Sequence, residues 1–163
     1  DDYADPVELV VRPLIEDHYG EAQVVGTLGS SLGGLISLHI ADRYPDRYQM
    51  AISLSGTMGW GSIGADNPTM IETYPAAGHR DAWLYLDSGG FGTCWDADGD
   101  GIEDDDPDSA DNYCENVQLR DALMAEGYQF DVDLWHWYEP GADHSEMAWA
   151  ARVWRPLEIF ATR

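Results

Sequence analysis

"TLGSSLGGLISLHIADRYP", from Thr27 to Pro45, crowds three glycines and two serines into six residues between an apolar run and a helical one. The segment before it, Ala22–Leu28, is short and β-branched and reads as a buried strand. The segment after it, "LGGLISLHIADRY", reads as a helix that stops near Pro45. Gly29-Ser30-Ser31-Leu32-Gly33 therefore has G-x-S-x-G spacing in the strand–turn–helix setting that this spacing needs. Its central position is Ser31, not Ser30, and such a turn holds the central hydroxyl above the sheet. The backbone approaches its neighbours closely there, so the flanking positions call for glycine. The Leu32 N–H, at a helix N-terminus, is placed to stabilise an oxyanion. A Gly/Ser-rich helix start with Ser30 or Ser31 as N-cap is the plainer reading of the same residues.

Working outward, strands and helices alternate. "PVELVVRPLIEDHYG" sets Val7, Val10, Val11, Leu14 and Ile15 at helical spacing, with Pro13 as a kink or a new start and Gly20 as the stop. "YQMAISLSG" and Asp81–Asp87 ("DAWLYLD") read as strands, with the Gly-rich loop "TMGWGSIGADNP" between them. A helix from Asn112 to Glu126 ends at Gly127. Gln129–Glu139 is a further strand, and "EMAWAARVWRPLEIFA" a final helix bent at Pro156. The pattern predicts an α/β fold: a three-layer α/β/α sandwich on a mainly parallel sheet, with residues 1–163 as a single domain. The loops after Leu28, Leu54, Asp87 and Glu139 are then expected on one rim, at the carboxyl ends of the strands.

Composition narrows the function. The 163 residues are 44% hydrophobic, enough for a sizeable core, and hold 31 acidic against 8 basic residues, all arginine, for a net charge of −23. Such a surface repels phosphate backbones and argues against a nucleic-acid partner. No apolar run reaches the roughly 18 residues that a membrane span needs. Cys94 and Cys114 bracket an acidic insert, residues 94–114, and their even count without metal-type spacing predicts a disulfide and an oxidising, extracytoplasmic compartment.

A nucleophilic serine needs a base and an acid, and on this fold they follow it as Asp or Glu, then His. Of five histidines, His144 follows the last strand and precedes the last helix, in "PGADHSEMAW". For the acid, Asp87 at the end of the third strand and Asp111 before the next helix both stand in the expected region.

In this order, "GSSLGG", "ISLSG", "LYLDSGG", "DNYCENVQLRDALMAEGY" and "WHWYEPGADHSEMAWAARV" resemble the esterase D / enterochelin-esterase-like group of α/β-hydrolases, which includes feruloyl esterases and relatives of the mycolyltransferases. The resemblance covers nearly the whole chain outside the acidic insert. It implies a serine esterase that hydrolyses carboxylic esters through an acyl-enzyme, with Ser31 as nucleophile and His144 as base. Alignment of the helix after the insert favours Asp111 as the acid over Asp87. On this reading the Leu32 N–H forms part of the oxyanion hole, Trp60, in the loop after "SLSG", is a candidate pocket wall with Ser30 beside it, and no cofactor is expected for catalysis. The family carries strands before the nucleophile strand that supply a second oxyanion N–H. The chain is therefore expected to be the C-terminal portion of a larger protein, with the remaining N-terminal part as its partner. An acyltransferase on the same site is the alternative activity.

"DADGDGIEDDDPD" (Asp96–Asp108) resembles the calcium loops of EF-hand, dockerin and thrombospondin-type repeats. Asp96, Asp98 and Asp100 stand at positions one, three and five, Gly101 at the sharp turn and Ile102 at the backbone-carbonyl position. Pro107 stands where a bidentate glutamate belongs, leaving Asp104, Asp106 or Asp108 to substitute. A structural Ca²⁺ is the expected ligand, and a non-catalytic calcium-binding module is a third reading of the chain.

Overall fold

The computed structural model describes residues 3–59, 68–90, 94–97, 99, 101, 103–105 and 111–163. Four strands, β1 (Gly26–Ser30), β2 (Met50–Leu54), β3 (Trp83–Ser88) and β6 (Leu134–Tyr138), pair in the order β1-β2-β3-β6. All three pairings are parallel, as the alternation of strands and helices predicts. In register, Ser30 lies beside Leu54, Leu54 beside Asp87, and Ser88 beside Tyr138. The carboxyl ends of all four strands therefore meet on one rim, and the loops that leave them are the place for a site.

Alternation along the strands builds two cores. Ala51, Leu84, Leu86 and Leu134 bury one face of the sheet under α3 (Leu32–Arg43), α4 (Met70–Ala76) and α5 (Tyr113–Ala125), through Leu38, Ile71, Tyr74, Leu119 and Leu123. Met50, Ile52, Leu54 and Tyr85 bury the opposite face, against Trp149 and Val153 near α6 (Glu146–Arg152) and Ile159 and Phe160 of α7 (Trp154–Phe160). The result is the expected three-layer α/β/α arrangement. Each leucine buried in it contributes about 1.5–3 kcal/mol relative to an exposed one.

Several local expectations shift. The first strand runs Gly26–Ser30 rather than Ala22–Leu28, because it ends directly at the Ser31 turn. Helix α4 replaces what reads as irregular chain. Its start is set by Glu72, whose carboxylate accepts the Thr69 N–H at 2.6 Å. The final helix is two helices meeting at Val153. Pro156 cannot donate to the carbonyl of Arg152, so the ladder breaks there. The acidic insert holds a short antiparallel pair, β4 (Cys94–Trp95) with β5 (Asp104–Asp105).

The N-terminal helical segment is α1 (Ala4–Pro6), a π turn (Val7–Val11) and α2 (Arg12–Tyr19), with Pro13 in the first turn of α2 as a new start. It is held by polar groups. Asp5 accepts from the Tyr44 hydroxyl at 2.8 Å and pairs with Arg43, and buried Glu8 accepts from the Tyr48 hydroxyl at 2.9 Å and pairs with Arg47 at 2.8 Å. The apolar stripe of Val10, Val11, Leu14 and Ile15 consequently faces outward, with Leu14 60% exposed. Among the described residues, β1 has a pairing partner on one side only, and Leu28 on it is 47% exposed.

Cys94 and Cys114 form a disulfide with a Cα–Cα distance of 5.4 Å, tying β4 to the first turn of α5. The bridge spans a sequence separation of 20, for which loop-closure entropy gives about 3 kcal/mol. Reduction, or the C94S/C114S double variant, is expected to lower unfolding free energy in urea by about that amount. A midpoint unchanged by reductant would show that the bridge contributes nothing.

Candidate active site

Ser31 sits between β1 and α3 with φ 55 and ψ −125, a backbone state that L-residues avoid. Backbone hydrogen bonds to β2, to α3 and to the loop after β2 hold it. The Ser31 N–H donates to the Leu54 carbonyl of β2 at 2.9 Å, and the Ser31 carbonyl accepts from Gly34 at 2.9 Å and from Thr57 at 3.3 Å. A Cβ on Gly29 would lie 2.2 Å from the Gly33 carbonyl oxygen, so residue 29 must be glycine. A Cβ on Gly33 would meet open space. The expectation that both flanks need glycine therefore holds at 29 and fails at 33, because Gly33 presents its backbone to Gly29 and its Cα hydrogens to solvent. The first-turn N–H of Leu32 has no acceptor inside α3 and points out of the helix end beside Ser31.

His144 comes from the loop between β6 and α6. That loop is clasped to the loop after β3: Gly90 N–H donates to the Ala142 carbonyl at 3.0 Å, and Gly141 N–H to the Gly90 carbonyl at 2.8 Å. Ser145 caps α6, and the His144 ring rests edge-on against Trp149 at 4.9 Å. His144 Nε2 lies 2.9 Å from Ser31 Oγ, and Nδ1 lies 2.9 Å from Asp111 Oδ1. An ionised carboxylate only accepts, so Nδ1 carries the proton and Nε2 accepts from the serine hydroxyl. A hydroxyl so placed can lose its proton as its oxygen attacks an electrophilic carbon.

Asp111 is fully buried just before α5. Gly89 abuts it: a Cβ there would stand 2.5 Å from Asp111 Oδ2. Asp87, the other candidate acid, is not near the imidazole by any hydrogen bond. It is also fully buried, accepts the Ser55 N–H on Oδ1 at 3.0 Å, and has Oδ2 3.1 Å from Arg152 Nε. Burial pushes the Asp87 carboxyl up to about 6 against the opposing pull of Arg152. Arg152 escaped the sequence reading. Its signal is a lone arginine in the apolar run "AWAARVW", which calls for a buried acid partner.

A second Ser–His pair exists, with Ser88 Oγ 2.9 Å from His136 Nε2. Burial separates the two pairs. Ser88 is completely buried between strands, and His136 is held neutral, its pKa lowered to about 4 by burial and by Arg120. Ser31 lies on the open rim, at the foot of α3.

Of the remaining expected site residues, Ser30 is the half-buried last residue of β1. Trp60, Asp98, Asp100, Ile102, Asp106 and Asp108 lie outside the described residues, and Asp104 lies in β5. The two carboxylate oxygens of Asp96 accept the Gly99 N–H at 2.6 Å and the Gly101 N–H at 3.0 Å. Among the described residues, no three His, Cys, Asp or Glu side chains converge on one point.

A family model described as "Putative esterase" matches residues 1–157. The chain belongs to that esterase family. Solved structures agree on the fold of this esterase-family chain. The enterobactin esterase of Shigella flexneri, solved in the presence of enterobactin, superposes with a TM-score of 0.71 at 16% identity, covering 96% of this chain and 36% of that one. The ferric enterobactin esterase of Salmonella typhimurium gives a TM-score of 0.70 at 16% identity, covering 96% and 35%. MPT51 (FbpC1) of Mycobacterium tuberculosis gives 0.67 at 14% identity, covering 98% and 68%. This chain thus spans less than two fifths of the length of the enterobactin esterases it matches. No curated protein sequence matches it.

The turn makes a stability claim at its two flanking glycines. Gly29→Ala is expected to lower the urea midpoint by the equivalent of about 1–3 kcal/mol or more. Gly33→Ala, inside the first turn of a helix, should hold or raise it by about 0.5–1 kcal/mol. Equal effects at both positions would contradict this close approach of backbones.

Proposed function

We propose that this chain carries the serine machinery of a carboxylic ester hydrolase, with Ser31 as nucleophile, His144 as general base and Asp111 as the orienting acid. The observation that supports it is the unbroken line from Ser31 Oγ through the imidazole to a buried carboxylate, 2.9 Å at each step. Membership of the esterase family agrees with it.

In the proposed reaction the ester carbonyl sits over Ser31. His144 Nε2 takes the hydroxyl proton as Oγ attacks, and Asp111 stabilises the imidazolium through Nδ1–H. The Leu32 N–H stabilises the oxyanion of the tetrahedral intermediate, and Ser30 borders the pocket. Collapse of that intermediate gives an acyl-Ser31 enzyme as the imidazolium returns its proton to the leaving alcohol. Water then repeats the sequence and releases the acid. The disulfide supports an extracytoplasmic setting. The wrap of Asp96 around the Gly99 and Gly101 amides supports a structural Ca²⁺ in the insert.

A fluorophosphonate probe is expected to label Ser31 and no other serine, as read by peptide mass spectrometry. Ser31→Ala should abolish labelling and lower kcat on aryl esters by about 10³-fold or more, and Asp111→Asn by on the order of 10³–10⁴. A Ser31→Ala variant with wild-type turnover would end the proposal. For the insert, excess EDTA is expected to lower the melting temperature, and added Ca²⁺ to restore it. An unchanged melting curve would remove the metal from the account.

A further inference from the structure

Arg152 is 2% exposed and lies between two completely buried carboxylates from different parts of the chain. Its Nη2 donates to Asp111 Oδ2 at 2.9 Å, and its Nε lies 3.1 Å from Asp87 Oδ2, an ion pair without an aligned hydrogen bond. The same Nη2 donates to Ser55 Oγ, which also accepts the Trp149 indole N–H at 3.1 Å. Ser55 in turn donates its N–H to Asp87, so β2, β3, α6 and the segment before α5 meet at one guanidinium.

We propose that Arg152 is a positioning residue for the Ser31–His144–Asp111 line and that Asp87 is its counter-charge, so that the buried cluster presents one net negative charge to His144. The proposal rests on the serine-hydrolase reading of this site.

Geometry and charge carry it together. A carboxylate can offer either oxygen to an imidazole by rotating about its terminal torsion. Arg152 engages Oδ2 and Gly89 abuts it, which leaves Oδ1 for His144 Nδ1. An arginine bonded to Asp111 alone would neutralise it and leave the imidazolium facing a neutral pair. Asp87 restores the balance: two carboxylates and one guanidinium sum to one negative charge, which matches the single positive charge formed on His144 during attack. A buried cation between two buried anions also avoids an unpaired charge in the core.

Among the described residues, few groups face this cluster. His144 meets Asp111, the Ser31 hydroxyl and the uncharged Trp149 ring. Asp87 and Arg152 meet each other, Asp111, Ser55 and Tyr85 of β3, which also feels Arg155 of α7. Burial pushes the Tyr85 phenol far above its usual range, so it stays neutral. Burial raises the Asp87 carboxyl to about 6 against the pull of Arg152.

The test follows Ser31 phosphonylation by the fluorophosphonate probe as a function of pH, since this rate needs neutral His144 and no knowledge of the natural ester. In Arg152→Gln the cation is gone, the imidazolium is favoured, and the midpoint of the rise in rate should move to higher pH. In Asp87→Asn the anion is gone and the midpoint should move to lower pH. Each shift is expected to be on the order of one pH unit for a buried charge at this range. Arg152→Lys, which keeps the charge but not the planar fork, should hold the midpoint and lower the plateau rate. If Arg152→Gln does not fold, Asp87→Asn and Arg152→Lys carry the test. Midpoints that stay put, or that move the same way in both charge variants, would overturn the proposal while leaving a labelled Ser31 in place. Absence of Ser31 labelling in the wild-type protein would overturn the hydrolase reading and this inference with it.

Discussion

One residue held in an unfavourable backbone state organises the rim of this protein. Ser31, at φ 55 and ψ −125, turns the chain from β1 into α3 within a single residue. That conformation costs on the order of 1–3 kcal/mol and persists only where the surroundings over-determine it. Here the parallel register supplies the constraint. The Leu54 carbonyl at the end of β2 accepts the Ser31 N–H, and the Thr57 N–H beyond β2 binds the Ser31 carbonyl. Gly29 admits the backbone of Gly33 at a distance no side chain would allow. The hydroxyl is thereby lifted clear of the sheet while the helix N-terminus faces the same space.

The rest of the site is assembled around that fixed point from distant segments. The loop after β6 brings His144, and its backbone bonds to Gly90 set it against the loop after β3. Asp111 arrives from the end of the insert, in the segment just ahead of the disulfide-anchored turn of α5. These positions follow from strand order: consecutive parallel strands put every β-to-α loop on the same edge, so residues over a hundred positions apart in sequence come within hydrogen-bond reach. Beneath them, the buried Asp87–Arg152–Asp111 set joins the chemistry to the packing of α6 on the sheet.

The outer face of the N-terminal helix shows the opposite balance. Its attachment uses Asp5 and Glu8 against Arg43, Tyr44, Arg47 and Tyr48, which turns its apolar residues to solvent beside the side of β1 that has no pairing partner among the described residues. An amphipathic pattern in sequence identifies a helix, but it does not say which face finds a partner.

Much of the site was legible because its signals are local. The G-x-S-x-G spacing between a strand and a helix singles out Ser31, and the position of His144 between the last strand and the next helix follows from the order of elements. The start of α4 was also written locally, in Thr69 and Glu72, and was overlooked. The two candidate acids were different. Asp87 at the end of the third strand and Asp111 before the next helix were ranked only by the family resemblance, because their physical difference lies in which oxygen meets which nitrogen across the fold. Arg152 is the extreme case. An arginine in an apolar helix announces a buried partner but cannot name it.

By itself, then, the order of residues determined the alternation of strands and helices and the turn at Ser31, which depend on neighbours within a few positions, and the cysteine pair, because the chain holds two cysteines and no other. Tertiary structure decided that Asp111 faces the imidazole, that Asp87 faces Arg152, and that Gly33 needs no close packing of its own. Those outcomes depend on distances between segments that only the parallel register and the burial of charge bring together.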